Sequence, residues 1–184
     1  MSKRSPGHEQ RPHGFWPTPR AAVAPLVPYL PQRATYGEPC AGDLSLVRAL
    51  DTLWPAGRCV VASDIISRVP GVDQVDALTL EADAGSPALW ITNPPWPKGG
   101  KRGDPALSII RHLSSISPTW CLLPWDFAAN DYFRHVAASC AEIVPIGRVS
   151  WLGNGTPGKD NCAWYLFDAQ NRFQTVIRPR GVAA

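Results

Sequence analysis

The sequence of 184 residues lacks the features that would place it in a membrane, outside the cell or around a metal ion. No apolar run approaches the roughly 20 residues that a bilayer-spanning helix needs. Residues 1–20 contain no apolar segment of the kind found in secretory signals. The five cysteines are widely spaced and form no C-x-x-C pair, which argues against a disulfide framework or a structural zinc site. These absences predict a cytoplasmic protein with no metal and no membrane partner.

Charge is also scarce and nearly balanced. Lys and Arg number 18 and Asp and Glu number 15, a formal net charge of +3, which permits a polyanionic partner without requiring one. The hydrophobic fraction of 45% is typical of globular chains, and the length suits one hydrophobic core. We therefore expect a flexible N-terminal tail over the polar, aperiodic residues 1–14 and a single folded domain over residues 15–184.

Proline and tryptophan are the residues in excess, at 20 and 8 against a single methionine. The prolines predict many rigid turns, and the tryptophans need burial or a flat partner on which to stack. In the apolar segment 20–30, two prolines predict a short helix that is broken early.

Apolar strands and amphipathic helices alternate through the rest of the chain. Strands are predicted at residues 34–38, 58–63, 88–92, 119–123 and 142–146, and helices at residues 44–53, 105–116 and 130–139. Two further strands, 149–152 and 163–167, flank a loop rich in Gly, Asn and Pro and predict an antiparallel hairpin. This order predicts an α/β, Rossmann-like fold: a doubly wound, mostly parallel sheet with a C-terminal antiparallel hairpin.

The turn from Glu38 to Asp43 stands between a predicted strand and a predicted helix. Gly42 would let the backbone approach a ligand closely, and the helix N-terminus offers free N–H groups. Asp64 ends the next strand, where a carboxylate can accept hydrogen bonds from both hydroxyls of a ribose. The pattern is typical of a nucleoside-cofactor site, although an ordinary turn glycine and a solvated strand end would explain the same residues.

Asn93-Pro94-Pro95-Trp96, directly after the strand 88–92, is a more specific motif. Consecutive prolines fix the backbone and remove two N–H donors, which leaves carbonyl oxygens free to accept hydrogen bonds. The amide oxygen of Asn93 supplies another acceptor, and an exocyclic amine has two hydrogens to donate. Trp96 offers a stacking face worth about 1–3 kcal/mol per base. The motif predicts a pocket for the amine of a nucleobase; the alternative is a rigid turn with Trp96 in the core.

On these motifs the sequence resembles the class I S-adenosylmethionine-dependent methyltransferases that act on amino groups, and most of all the DNA adenine-N6 methyltransferases. Their acceptor motif, Asn/Asp/Ser-Pro-Pro-aromatic, is matched by residues 93–96, their cofactor turn by residues 38–43, and their ribose-binding acid by Asp64. The resemblance extends over residues 15–167. It also implies an adenine-side acid at Asp76 and a Thr-Pro motif, at Thr18-Pro19, on the methionine side of the cofactor.

The resemblance implies both a cofactor site and a reaction. The cofactor, S-adenosylmethionine, would be bound by Thr18, Pro19, Glu38, Cys40, Ala41, Gly42, Asp64, Ile65, Asp76, Ala77 and Asn93. The catalytic residues would be Asn93, Pro94, Pro95 and Trp96. The implied reaction is methylation of the N6 amine of adenine in DNA, on a base that is flipped out or already single-stranded.

Basic residues in two loops are candidates for contacts with nucleic-acid phosphates. They are Lys98, Lys101, Arg102 and Lys159. Ordinary solvated loops would explain them equally well. We expect no separate target-recognition domain, and the lack of one suggests a phage or mobile-element setting. The oligomeric state stays open.

Leu44 stands where the family's cofactor turn usually has a second glycine, so a Cβ atom would crowd the turn. One alternative is the same chemistry on RNA adenine or on protein glutamine, although Trp96 disfavours the glutamine enzymes, in which we expect Tyr or Phe. Another is a catalytically silent, nucleic-acid-binding subunit with this fold. A nicotinamide dehydrogenase would need a complete G-x-G-x-x-G turn, which the sequence does not contain.

Overall fold

The computed structural model describes residues 16–97, 104–151, 153–170 and 174–180. The predicted tail, residues 1–14, lies outside them. Eight strands are present in these ranges: β1 (Ala34–Glu38), β2 (Gly57–Asp64), β3 (Asp73–Gln74), β4 (Leu89–Thr92), β5 (Thr119–Pro124), β6 (Cys140–Gly147), β7 (Cys162–Phe167) and β8 (Val176–Ile177). They form one sheet in the order β3-β2-β1-β4-β5-β7-β6-β8.

The sheet is parallel except at β7. Strands β1 to β5 pair in parallel with one another, and β8 pairs in parallel with β6. Strand β7 runs antiparallel between β5 and β6, with Cys121 opposite Tyr165 and Val144 opposite Trp164. The predicted mostly parallel, Rossmann-like sheet with a C-terminal antiparallel hairpin is therefore confirmed, with β6 and β7 as the strands of the hairpin.

Three α-helices are present in the described ranges: α1 (Arg20–Val23), α2 (Ser45–Leu53) and α3 (Pro105–Ile116). Helix α1 continues as a 3-10 turn, Ala24–Tyr29, because Pro25 and Pro28 remove the N–H groups that an α-helix needs. Asp104 caps the N-terminus of α3, because its side chain accepts a hydrogen bond from the N–H of Ala106. None of these helices is long and apolar enough to cross a membrane.

Alternating side chains of β5 separate two apolar layers. Trp120 and Leu122 pack with helices α1 and α2, and Cys121 and Leu123 pack with α3. A strand buried on both faces needs apolar residues at every position, which explains its unbroken apolar sequence. With helices on both faces, the ends of the parallel strands remain the accessible edge of the sheet.

Two predicted elements are wrong. Residues 130–139 form 3-10 turns instead of a helix, because the backbone at Asn130 and Val136 is not helical. The adjacent residues Tyr132 and Phe133 both pack on the ring of Phe127, at centroid distances of 5.5 and 5.7 Å. Short 3-10 turns carry these two rings onto Phe127 in place of the predicted α-helix.

The first strand of the predicted hairpin is also misplaced. Residues 149–151 are not in a strand, and β7 pairs instead with β6, which ends at Gly147. Gly147 has a φ of 76°, a left-handed conformation that suits glycine and turns the chain out of the sheet.

Gly37 of β1 packs against the buried indole of Trp90 on β4. A Cβ atom at position 37 would lie 2.3 Å from Cζ3 of Trp90. We expect Gly37→Ala to lower the free energy of unfolding by about 1–3 kcal/mol, because the ring cannot move out of the packed layer. The matched control is Gly85→Ala, where the nearest atom would be 3.4 Å away. Equal urea midpoints for the two variants would contradict this packing.

Candidate active site

Polar side chains gather where β1, β2 and β4 end. Glu38 is the last residue of β1, Asp64 is the last residue of β2, and Asn93 directly follows β4. Because these strands are parallel neighbours in the sheet, their carboxyl ends lie at the same edge. The structure therefore brings the predicted cofactor turn and the acceptor motif to one edge.

The carboxylate of Asp64 joins the loops that follow β1 and β2. Its Oδ2 accepts a hydrogen bond from the N–H of Gly42 at 2.9 Å, and its Oδ1 accepts one from the N–H of Ile66 at 3.0 Å. A third link runs from the N–H of Ala41 to the carbonyl of Ser63, at 2.8 Å. Each carboxylate oxygen can accept further hydrogen bonds, so Asp64 can support the turn and still bind a hydroxyl.

Leu44 takes a glycine conformation at the start of α2. Its φ is 66°, and it is the one non-glycine residue with positive φ in the described ranges. A left-handed backbone costs an ordinary L-residue roughly 1–2 kcal/mol. The side chain is half-buried and is directed towards the loop around Gly71, where an added Cβ would meet Leu44 Cδ1 at 3.8 Å. Position 44 thus has the backbone conformation of a turn glycine, although the residue is Leu.

Glu38 is a buried acid, and no side chain among the described residues forms an ion pair with it. Its side chain is 2% exposed, and its Oε2 atom has no hydrogen-bond partner in the described part of the chain. Burial raises the pKa of Glu38 well above its usual value, the carboxylates of Asp64 and Asp43 raise it further, and a hydrogen bond with the backbone of Val47 partly offsets them. Burial and the two neighbouring carboxylates therefore favour the protonated form of Glu38.

One exposed apolar side chain follows Asp64 at the end of β2, and another follows Asp76, shortly after β3. Ile65, next to Asp64, is 60% exposed, and Leu78, two residues after Asp76, is 42% exposed. A hydrogen bond of 3.0 Å from the N–H of Val75 to the carbonyl of Asp64 joins the two segments. Paired apolar and acidic groups of this kind suit a flat, partly polar ligand. The sequence singled out Ile65 but missed Leu78.

Asp76 and Ala77, both predicted to bind the cofactor, have a local structural role as well. Asp76 accepts a hydrogen bond from the N–H of Leu78 at 2.9 Å and so caps the 3-10 turn Ala77–Thr79. Ala77 is buried against Trp90. Asp76 is exposed and retains acceptor capacity.

The acceptor motif is held by three hydrogen bonds. The Nδ2 of Asn93 donates to Oγ1 of Thr18 at 3.1 Å, although the two residues are 75 positions apart. The Nε1 of Trp96 donates to Oδ1 of Asn93 at 3.2 Å and to the carbonyl of Leu122 at 3.0 Å. Thr18 is 5% exposed. The predicted Thr18-Pro19 motif thus lies directly beside Asn93.

Trp96 is partly a core residue. Its half-buried ring packs against both apolar layers and meets the ring of Trp151 edge-on, with centroids 5.6 Å apart and planes at 80°. This geometry lies between the two sequence interpretations, a stacking platform and a core tryptophan. In the same motif, Pro94 is buried and Pro95 is half-buried.

The remaining predicted site residues lie elsewhere in the sequence. Burial raises the pKa of the Cys40 thiol to about 12, so Cys40 is a neutral thiol in the turn. Lys159 is exposed in the loop between β6 and β7. Lys98, Lys101 and Arg102 lie outside the described residues. Within the described ranges, no group of three or more His, Cys, Asp or Glu side chains could hold a metal ion.

The left-handed backbone of Leu44 predicts that glycine is more stable than alanine at this position, the reverse of the order in a helix. Replacing it with Ala or with Gly removes the same side chain contacts, but only glycine relieves the left-handed strain. We expect Leu44→Gly to be more stable than Leu44→Ala by about 1 kcal/mol in urea unfolding. On the helix at Arg48 the order should reverse, with Arg48→Ala the more stable by about 1 kcal/mol. The same order at both positions would contradict the observed turn.

The raised pKa of Glu38 predicts a pH dependence of stability. Because its folded-state pKa is raised, its contribution is fully present below the ordinary value of 4.5 and is lost as the pH rises towards the folded-state pKa. The expected loss is about 1.4 kcal/mol per pH unit within that window. Glu38→Gln, which is always neutral, should remove this loss, as measured by urea unfolding from pH 4 to pH 9. The control is Glu81→Gln, at an exposed position. If both substitutions alter the profile equally, the pKa of Glu38 is not raised.

Solved structures with the same fold are methyltransferases. A predicted O-methyltransferase from Agrobacterium tumefaciens has a TM-score of 0.56 at 15% identity, over 90% of this chain and 87% of that one. A type I restriction-modification methyltransferase subunit from Streptococcus thermophilus has a TM-score of 0.57 at 10% identity, over 89% and 47%. A dimethyladenosine transferase from Plasmodium falciparum has a TM-score of 0.52 at 13% identity, over 84% and 62%.

This chain therefore spans about half the length of the restriction-modification subunit. No protein-family model and no curated protein matches its sequence. Strand order, the antiparallel β7 and these neighbours together show that the chain has the Rossmann-like fold of the methyltransferases.

Proposed function

We propose that this chain transfers the methyl group of S-adenosylmethionine to the exocyclic N6 amine of adenine in DNA. The observation that carries this proposal is the position of Asn93. Asn93 directly follows β4 and precedes the two prolines, and its amide donates a hydrogen bond to Thr18. It lies at the same edge of the sheet as the turn that Asp64 holds through Gly42. This position would set an amine acceptor beside a turn that is suited to a nucleoside cofactor.

The residues at this edge fit the cofactor. Asp64 has acceptor capacity for ribose hydroxyls, and Ile65 and Leu78 offer apolar surface for an adenine ring. A positively charged ligand bound nearby would stabilise the ionised form of Glu38, which burial and the carboxylates of Asp64 and Asp43 disfavour. When bound, the cofactor supplies an activated methyl group on a positively charged sulfur. Thr18 would lie at the methionine end.

The acceptor residues act by holding the amine. Asn93 Oδ1 already accepts from Trp96 and has one further lone pair for a substrate N–H. We place the carbonyl of Pro94, the next residue of the same rigid turn, as the second acceptor. Two acceptors on the two amine hydrogens leave the nitrogen lone pair free for in-line attack. The base must leave a duplex to reach this edge.

The thiols favour amine methylation over a covalent cysteine route. Burial raises the pKa of all five: Cys59 to about 11, Cys40, Cys140 and Cys162 to about 12, and Cys121 in the same direction. A reaction that begins with attack by a thiolate needs the opposite shift.

A groove beside Thr18 supports a nucleic-acid substrate. It has a volume of about 480 Å³ and runs between the start of α1 and the outer face of α2. Arg20 and Arg48 line it together with the hydroxyl residues Ser45 and Thr52, and it ends at Trp151. Exposed arginines and hydroxyls are suited to phosphodiester contacts. Among the neighbours, a restriction-modification subunit and a dimethyladenosine transferase also agree with nucleic acid as the substrate.

The reaction is tested by incubating purified protein and S-adenosylmethionine with unmethylated DNA, RNA or a glutamine-containing peptide. Nucleosides and peptide are then analysed by mass spectrometry. N6-methyladenine from DNA alone supports the proposal. Methyladenine from RNA alone or methylated glutamine would replace it with one of those substrates. Cofactor binding and methyl transfer both absent would favour a silent subunit.

Within this reaction we expect Asn93→Ala to lower methyl transfer at least a hundredfold, because it removes an acceptor for the amine. The dissociation constant of the cofactor, measured by calorimetry, should change less than about threefold, since the turn around Asp64 is untouched. The control is Gln170→Ala, which removes an exposed amide after β7 at the opposite edge of the sheet. Equal losses of cofactor binding and turnover in Asn93→Ala would contradict the role of Asn93.

A further inference from the structure

We infer that Trp96 acts on Asn93 through its indole N–H, as a positioning residue, and that Thr18 completes a clamp on the other side of the Asn93 amide. This inference rests on the proposed function, in which Asn93 accepts a hydrogen bond from the substrate amine. It assigns to the fourth residue of the motif a role other than stacking on the base.

The indole fixes which way the Asn93 amide points. The Nε1 of tryptophan is a donor only, so the atom of Asn93 that lies 3.2 Å away must be the oxygen. The amide nitrogen then faces Thr18, whose hydroxyl oxygen accepts its hydrogen bond at 3.1 Å. A hydroxyl can hydrogen-bond to either end of the amide, so Thr18 alone would not determine its orientation. The N–H of Trp96 determines the orientation, and the hydrogen bond to Thr18 stabilises it.

Trp96 is itself held in place. The same N–H donates to the carbonyl of Leu122 on β5 at 3.0 Å, and β5 is the neighbour of β4. The ring packs against both apolar layers and against the edge of Trp151. Because the ring is held on these sides, its N–H has a fixed position relative to both β5 and Asn93.

The orientation decides what the site accepts. With the oxygen fixed by Trp96, Asn93 presents an acceptor to its ligand. An inverted amide would present N–H groups to an amine, so that donors would face donors. The clamp therefore selects an amine over a carbonyl at this position. This is a constraint on substrate that neither prolines nor ring stacking would supply.

The clamp also links the two halves of the site. Thr18 is buried between Pro17 and Pro19, which lack N–H groups and restrict the backbone. Its oxygen accepts from Asn93, and its own hydroxyl hydrogen remains available to donate. A ligand bound by that hydroxyl would tighten the position of Asn93.

The test is Trp96→Phe, which keeps an aromatic ring but removes the N–H. We expect kcat for methyl transfer to fall roughly tenfold, with the cofactor dissociation constant and the KM for DNA changed less than about twofold, as one positioning hydrogen bond would give. Trp54→Phe is the matched control. It removes an indole hydrogen bond of similar length, 3.0 Å to the carbonyl of Pro31, on the α2 side of the core. It should lower stability and leave kcat unchanged. If Trp96→Phe retains full kcat, Trp96 works as a ring and the inference is overturned.

Thr18 provides a second arm that does not depend on how Trp96→Phe folds. Thr18→Val removes the acceptor and should also lower kcat, whereas Thr18→Ser keeps the hydroxyl and should restore it. Loss of kcat in both variants would show that the shape of the side chain matters rather than the hydrogen bond, and would overturn the clamp.

A readout without turnover separates this inference from the proposed function. The indole N–H resonance of Trp96, assigned by its loss in Trp96→Phe, should shift in Thr18→Val and return in Thr18→Ser, because Asn93 connects the two side chains. An unchanged resonance would overturn the clamp even in an active enzyme. If wild-type protein methylates none of the substrates, the proposed function fails, and the resonance alone decides whether the clamp exists.

Discussion

The Asp64 carboxylate accepts hydrogen bonds from the N–H groups of Gly42 and Ile66, and in doing so it joins the loops that leave β1 and β2. Most of the site depends on this link. It fixes the turn that leads into α2 and so the left-handed backbone of Leu44. It also brings a second carboxylate near the buried Glu38, which helps to keep that acid protonated. Without Asp64, the N–H groups of two loops would lose their acceptor.

Features that lower stability are concentrated at this edge of the sheet. Leu44 has a strained backbone, Glu38 is buried with no ion-pair partner among the described residues, and Ile65 is exposed. Elsewhere, β5 and β7 are packed on both faces with alternating layers of apolar side chains. Sites that bind ligands often carry such unfavourable features, and well-packed elements compensate for them. The distribution agrees with a ligand site at the ends of β1, β2 and β4, supported by the region of β5 to β7.

The sequence was a good guide wherever local pattern decides structure. The runs that became β1, β2, β4 and β5 are apolar and bounded by turn residues, and α2 and α3 have helical spacing. It failed at residues 130–139, where the backbone leaves the helical region at Asn130 and Val136 and short 3-10 turns replace the helix. It failed again at residues 149–151, because β6 extends to Gly147 and takes the place beside β7. The second failure depends on strand pairing between distant residues, which outweighs local preference.

At the site, the sequence by itself determined the residues with chemical capacity: the acids Glu38 and Asp64, and the Asn-Pro-Pro-Trp motif, whose prolines fix a turn wherever they occur. Only the tertiary structure decided which of these meet. The contact between Thr18 and Asn93 spans 75 residues, and the hydrogen bond from Trp96 to Leu122 needs β5 beside β4. No local pattern encodes such contacts, because they arise from the order of strands in the sheet. The direction of the Asn93 amide follows from those contacts, since its two polar atoms differ only in the partners that surround them.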